Sequence, residues 1–185
     1  MSHTVVDKQT IFAGSRVRLE VHTLADDATG KRMAKEVVVH PGAVVILPLM
    51  SDGTVVLIRN RRYAVGQVLT ELPAGTLEPG EEPMNCAGRE LVEETGFIAG
   101  RLKRLNAFYA SPGIISERLY CFAAFDLEPA AVDLDEGEEI EVVPTPFADC
   151  IEMIRDGTIQ DGKTIATLLF YDKFYRSTDH PPVGP

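Results

Sequence analysis

The sequence predicts an α/β fold, a mixed sheet carrying helices and preceded by a small N-terminal β segment. Three observations lead there. Strand-like stretches fill the chain up to residue 60 and again from residue 102. One acidic amphipathic helix interrupts them, and two helices with apolar stripes close the chain. The run AVVILPL, Ala43–Leu49, is apolar throughout, as a strand buried on both faces would be.

Taken in order, RVRLEVHT alternates Val17, Leu19 and Val21 with charged residues, the period of a half-buried strand. ATGKR reads as a turn and KEVVVH as a second strand. A soft boundary near residue 40 separates this β segment, residues 1–40, from a main domain over residues 41–176. Ala43–Leu49 turns through SDGT into VVLIRN, which reads as its hairpin partner. After the acidic helix, LKRLNAFYA and RLYCFAAFDL are strand-like, DLDEGEE reads as an exposed loop, and IEVVP as another strand. PFADCIEMIRDG forms a helix that Gly157 stops. KTIATLLFYDKFYR spaces Ile165, Leu168, Leu169 and Tyr175 helically. The tail, residues 177–185, is expected to be disordered.

Composition narrows the function classes. With 185 residues, 45% apolar and 25% charged, the chain can bury one ordinary core. No apolar run is long enough to span a membrane, and no basic region followed by an apolar core marks a signal peptide. Cys86, Cys121 and Cys150 are odd in number and far apart, which reads as buried free thiols in a reducing cytoplasm. The net charge of −10 argues against nucleic acid. The local exception is RNRRY, Arg59–Tyr63, either an anion clamp or a strand end with solvated charges. Without a tryptophan, any nucleobase would stack on Tyr, Phe or Arg.

The acidic helix raises a physical question. Pro83 suits a first helical turn, Met84, Ala87, Leu91, Val92 and Thr95 form a core stripe, and Gly96 ends the helix. Glu90, Glu93 and Glu94 share about one turn of it. Like charges so placed repel, more so beside a core where the dielectric falls. Arg89 reaches Glu93 at i+4, but one arginine does not balance three carboxylates. Clustered hard oxygen ligands of this kind suit Mg²⁺ or Mn²⁺.

Gly75, five residues, Glu81, seven residues, then Arg89-Glu90-Leu91-Val92-Glu93-Glu94-Thr95-Gly96-Phe97 resembles the Nudix hydrolase signature at every defined position. The resemblance implies an α/β/α sandwich and metal-dependent hydrolysis of a nucleoside diphosphate linked to another group. It implies Glu90 and Glu94 as main metal ligands, Glu93 as a further ligand or a group behind them, and the Ala74 carbonyl as another ligand. Arg89 would orient the carboxylates, Glu81 would hold the helix or reach a metal through water, and Gly75 would permit a tight turn. Two or three ions per site are implied.

Outside the signature, ELPAG (Glu71–Gly75) and SPG (Ser111–Gly113, with Pro112) resemble the ADP-ribose pyrophosphatase branch of that family. The stretch IRNRRYAVGQVLTELPAG is similar to the branch's strand and clamp region at Arg62 and Tyr63 but departs from it at Asn60 and Arg61. This implies a nucleoside diphosphate sugar as substrate, with ADP-ribose going to AMP and ribose 5-phosphate; GDP-mannose or another such sugar is the alternative. Substrate contacts would come from Arg62, Arg59, Glu71 and Pro112. The base is expected in the acidic loop 133–139, at Glu138, with Glu136, Glu139 and the helix carboxylate Glu93 as rivals. A homodimer built on the N-terminal β segment is implied as well. A nucleotide sensor without catalysis would be a different class, and the complete set of signature glutamates speaks against it.

Overall fold

The computed structural model describes residues 2–15, 17–130 and 139–176. The chain forms two compact units. One is the chain up to Gly42 together with Phe108–Arg118, and the other is Ala43–Ala107 together with the chain from Leu119 onward. Among the described residues no helix is long and apolar enough to cross a membrane.

The first unit is a three-stranded antiparallel meander of β1 (His3–Ala13), β2 (Arg18–Asp26) and β3 (Arg32–Val39). β1 was not anticipated, because HTVVDKQTIFA sets apolar residues side by side instead of alternating them, and every residue of it is exposed. Its pairing with β2 absorbs two irregularities, at Val5/Asp7 and Thr10/Phe12. The 108–118 segment joins this unit through β3. The Val38 N–H donates to the Ile114 carbonyl at 2.8 Å, and the Ser116 N–H donates to the Val38 carbonyl at 2.9 Å.

The second unit contains β4 (Ala43–Pro48), β5 (Thr54–Arg62), β6 (Gln67–Glu71), β7 (Ala74–Thr76), α1 (Pro83–Thr95), most of β8 (Phe97–Tyr109) and of β9 (Arg118–Pro129), β10 (Ile140–Pro146), α2 (Phe147–Arg155) and α3 (Gly162–Tyr171). A π-helical turn, Asp172–Arg176, ends the described chain. One sheet is ordered β7-β4-β9-β8, with β4 parallel to β9 and antiparallel to β7. The other is antiparallel, ordered β10-β5-β6.

This arrangement corrects the expected β4–β5 hairpin. The two strands lie in different sheets, and near the turn an isolated bridge links Leu49 to Val55 and the Met50 N–H donates to the Thr54 carbonyl at 2.8 Å. Both are apolar on two faces, and each has its edges paired by strands from elsewhere in the chain, β7 and β9 for β4, β10 and β6 for β5. The short β6 and β7, absent from the sequence reading, supply two of those edges.

Helices cover both faces of β4. Val44 and Ile46 pack with Cys86, Ala87 and Leu91 of α1 and with Phe122 of β9. Cys121 is one residue off that face and opposite Val45, and its sulfur accepts a hydrogen bond from the Thr167 hydroxyl of α3 at 3.3 Å. Because strand side chains alternate, α1 and α3 lie on opposite sides of the sheet. The stripes differ in detail from those expected. On α1 Met84 is exposed, and Cys86, Ala87, Leu91, Glu94 and Thr95 are buried. On α3 Leu169 is exposed, and Thr164, Thr167 and Leu168 face inward. The three cysteines are free and buried.

Candidate active site

α1 carries its acid cluster because Arg89 sits at the centre of it. Arg89 Nε and Nη2 donate to the two carboxylate oxygens of Glu81, each at 3.1 Å. Its Nη1 donates to Glu90 Oε1 and to Glu93 Oε2, each at 2.8 Å. One guanidinium thus meets three carboxylates, using its rigid fork of donors. These bonds hold the Glu81 carboxyl down at about 2 and push the Arg89 guanidinium further above its ordinary value. The Glu78 N–H also donates to Glu81 Oε2 at 3.0 Å, which ties the loop before α1 to the same cluster. Burial, with the Glu81 charge next, pushes the neighbouring Cys86 thiol up to about 12, so it stays neutral.

Glu94 sits on the buried side of α1, 3% exposed. Its Oε2 accepts the Ala74 N–H at 2.8 Å. This bond joins α1 to β7, the short strand that also carries Gly75. Gly75 pairs with Val44 and is not among the residues with positive φ. Its expected role in a tight turn is therefore replaced by a steric one. A Cβ at this position would collide with Cδ, Oε1 and Oε2 of Glu90. The Glu90 carboxylate occupies the space that any other residue at 75 would fill. Gly96 caps α1 at φ 70°, and its N–H donates to the Val92 carbonyl at 2.9 Å.

The arginine-rich stretch divides by strand alternation at the end of β5. Arg59 and Arg61 are exposed, and Arg59 reaches Glu141 of β10 at 3.4 Å. Asn60 is buried and Arg62 half-buried. Arg62 Nε and Nη2 donate to Glu71 Oε1 and Oε2 at 2.8 and 2.7 Å, a bidentate pair. The Glu71 bonds, with smaller contributions from the Glu94 and Asp161 charges, raise the Arg62 pKa. Glu71 is wholly buried, so its place is behind Arg62.

The sequence reading missed a second set of groups here. Lys163 Nζ donates to Glu71 Oε2 and, at 2.9 Å, to Asp161 Oδ2. Asp161 caps α3, its Oδ2 accepting the Thr164 N–H at 3.0 Å and hydroxyl at 2.5 Å. The cap was legible in DGKT, an Asp three residues before a Thr at a helix start. Of the other expected residues, Pro112 is exposed in the 108–118 segment of the first unit. Glu138 and Glu136 lie outside the described residues, and Glu139 is exposed beside the start of β10.

Comparison with protein families matches residues 39–168 to a NUDIX domain. The chain belongs to the Nudix family. It is a Nudix pyrophosphohydrolase. It is 35% identical to the ADP-ribose pyrophosphatase of Bacillus subtilis (strain 168) over 166 residues, 89% of each chain. It is 38% identical to the GDP-mannose pyrophosphatase of Salmonella typhimurium over 136 residues, 69% of this chain and 71% of that one. A solved ADP compounds hydrolase, 24% identical, shares the fold with a TM-score of 0.84 over 98% of each chain.

Nudix hydrolases depend on divalent metal ions. The donor chemistry here fits such ions. Glu90, Glu93 and Glu94 offer hard carboxylate oxygens from one helix, and Gly75 leaves Glu90 its space. Among the described residues no three His, Cys, Asp or Glu groups close into a metal cage. An ion that keeps several waters and takes substrate phosphate oxygens, as Mg²⁺ does, needs only one or two protein carboxylates.

Proposed function

We propose that this Nudix hydrolase cleaves the pyrophosphate bond of a nucleoside diphosphate sugar, with ADP-ribose as substrate and AMP and ribose 5-phosphate as products. The observation that carries the reading is the carboxylate cluster of α1, held by Arg89 and backed by Gly75 and Ala74. Glu90 and Glu94 would be the main ligands of two or three Mg²⁺ or Mn²⁺ ions, with Glu93 and the Ala74 carbonyl completing the set. Bound ions supply charge neutralisation on the diphosphate and an acidified water. The chain's own part is to orient. Arg89 holds Glu90 and Glu93 on one nitrogen at fixed positions, and Arg62 offers the substrate diphosphate the Nη1 edge that Glu71 does not use. A glutamate takes the water's proton, Glu138 in this reading, with Glu93 as the helix alternative.

Likeness to the B. subtilis enzyme over 89% of both chains supports ADP-ribose. The 38% identity to a GDP-mannose enzyme supports GDP-mannose as the second reading. We place the enzyme in the cytoplasm on its three free buried thiols. The wholly exposed β1 suits a homodimer contact. A hydrolysis screen over ADP-ribose, GDP-mannose, ADP-glucose, UDP-glucose, NADH and diadenosine polyphosphates tests the substrate. ADP-ribose should give the highest kcat/KM in the presence of Mg²⁺. Preference for GDP-mannose would select the second reading, and no turnover of any sugar nucleotide would overturn both.

A further inference from the structure

Glu71 is a carboxylate with no exposed surface at the end of β6. A lone buried charge costs several kcal/mol, so its partners decide whether it stays ionised and where it points. It has two. Arg62 takes both of its oxygens in a bidentate pair, and Lys163 binds Oε2 a second time. The Lys163 side chain is 14% exposed and spans from Glu71 to Asp161, the cap of α3. The backbone is tied at the same place, since the Leu72 N–H donates to the Thr164 hydroxyl at 2.8 Å. The result is an alternating chain of charges, Asp161, Lys163, Glu71, Arg62, running from the first turn of α3 to the end of β5.

We infer that Lys163 is a positioning residue for substrate recognition, acting through Glu71 on the guanidinium of Arg62. The inference rests on the proposed role of Arg62 at the substrate diphosphate. With Lys163 present, Glu71 and Asp161 face two cations, and Arg62 answers to Glu71 and to the Glu94 charge that also acts on it. Without Lys163, Asp161 and Glu71 share one cation. The Asp161 charge already acts on Arg62. The guanidinium would then be drawn inward, away from a diphosphate. Such a loss falls on substrate and transition state alike, so it raises KM and leaves kcat nearly unchanged.

The test is a double-mutant cycle in the full chain with whichever of ADP-ribose and GDP-mannose the enzyme hydrolyses. Lys163→Met should raise KM about tenfold, within the coupling range of residues in one charge network. Lys163→Arg, which keeps a cation between the two acids, should recover most of that loss. In an Arg62→Gln background, Lys163→Met should change KM by less than about twofold, since the group it acts through is gone. If Lys163→Met melts below the assay temperature, Lys163→Gln, which removes the cation but keeps a hydrogen-bonding amide between the two acids, takes its place with the same expected rise in KM. Lower melting with unchanged KM, or equal effects in both backgrounds, would overturn the inference and leave Lys163 a structural residue. An unchanged KM in Arg62→Gln alone overturns the Arg62 reading, and this inference with it. Failure of both sugars as substrates overturns the proposed function.

Discussion

Gly75→Ala is the smallest change that should empty the candidate site of its geometry. The substitution adds one methyl group to a strand residue in an ordinary backbone conformation, so β7 itself has no reason to distort. The methyl would meet all three atoms of the Glu90 carboxylate inside 3.0 Å, a separation real Cβ contacts essentially never show. The carboxylate must retreat by roughly 1 Å, and displacements of that size in a reacting constellation cost about 10²-fold in rate. The displaced group is the far end of a flexible side chain, so the fold can yield there. Overpacking in a rigid core costs about 1–3 kcal/mol, and Gly→Ala recovers about 0.4–1 kcal/mol by restricting the unfolded chain. The net change in stability should be about 2–3 kcal/mol at most. The assay pairs kcat/KM with a thermal melt: activity should fall about 10²-fold while Tm moves by only a few degrees. Glu90→Asp shortens the side chain and withdraws its carboxylate from Gly75, so Gly75→Ala should do much less harm in that background. Activity within twofold of the parent in Gly75→Ala would refute the claim that Glu90 must lie against the glycine.

Glu94→Gln keeps shape and hydrogen bonding but removes charge. It should abolish most activity at saturating Mg²⁺ and leave the melting temperature equal or slightly higher, because Glu94 is a buried carboxylate. Glu138→Gln should lower kcat by about 10² to 10⁴ with little change in KM; equal small losses at Glu136, Glu138 and Glu139 would return the base role to Glu93 or Glu94. The Glu81 carboxyl is held at about 2 against an ordinary 4.5, so its pairing with Arg89 stabilises the fold fully above pH 4.5 and loses that contribution as pH falls toward 2. The Tm gap between the parent and Glu81→Gln should therefore be constant above pH 4.5 and close below it, and a gap that does not change with pH would contradict the assignment. The N-terminal meander, with its exposed β1, should hold a homodimer at micromolar concentration by light scattering; a fully active monomer would refute it.

How far the sequence revealed this molecule depends on the kind of signal. Spacing was enough for α1, because a helix that places Glu90, Glu93 and Glu94 on one turn beside apolar neighbours poses an electrostatic question with few answers. Continuous apolarity was enough to make β4 a central strand, buried at every residue. It could not give β4 its partners, since a strand apolar on both faces carries no mark of which edge meets which neighbour. The β4–β5 hairpin therefore failed, while the parallel pairing of β4 with β9, more than 70 residues away, was invisible. β1 escaped for the opposite reason. All its residues are exposed, so burial imposes no alternation on them. Gly75 was read as a turn glycine because backbone freedom is the usual need, and only the position of the Glu90 carboxylate shows that it is space that is required. Lys163 was passed over because a lone lysine near a helix start looks like a solvated charge until Glu71 is seen beneath it.

The two charge clusters meet at one edge of the fold, and this bears on why the acid-rich helix is stable at all. Arg89 accounts for Glu81, Glu90 and Glu93, and the Ala74 N–H accounts for one oxygen of Glu94. The remaining negative charge on α1 faces Arg62, whose pKa the Glu94 carboxylate helps to raise. Arg62 is itself already spent on Glu71, and Glu71 on Lys163. Each acid in the sequence of contacts is thus partly neutralised by a base that another acid also claims. The same bases are shared among the acids along the edge formed by Glu90, Glu93 and Glu94. In the proposed reading divalent cations bind along that edge, so metal binding should stabilise the folded chain as well as support hydrolysis. The direction follows from charge alone: the Tm gain from Mg²⁺ should be largest in the parent and smaller once Glu90 or Glu94 is made neutral.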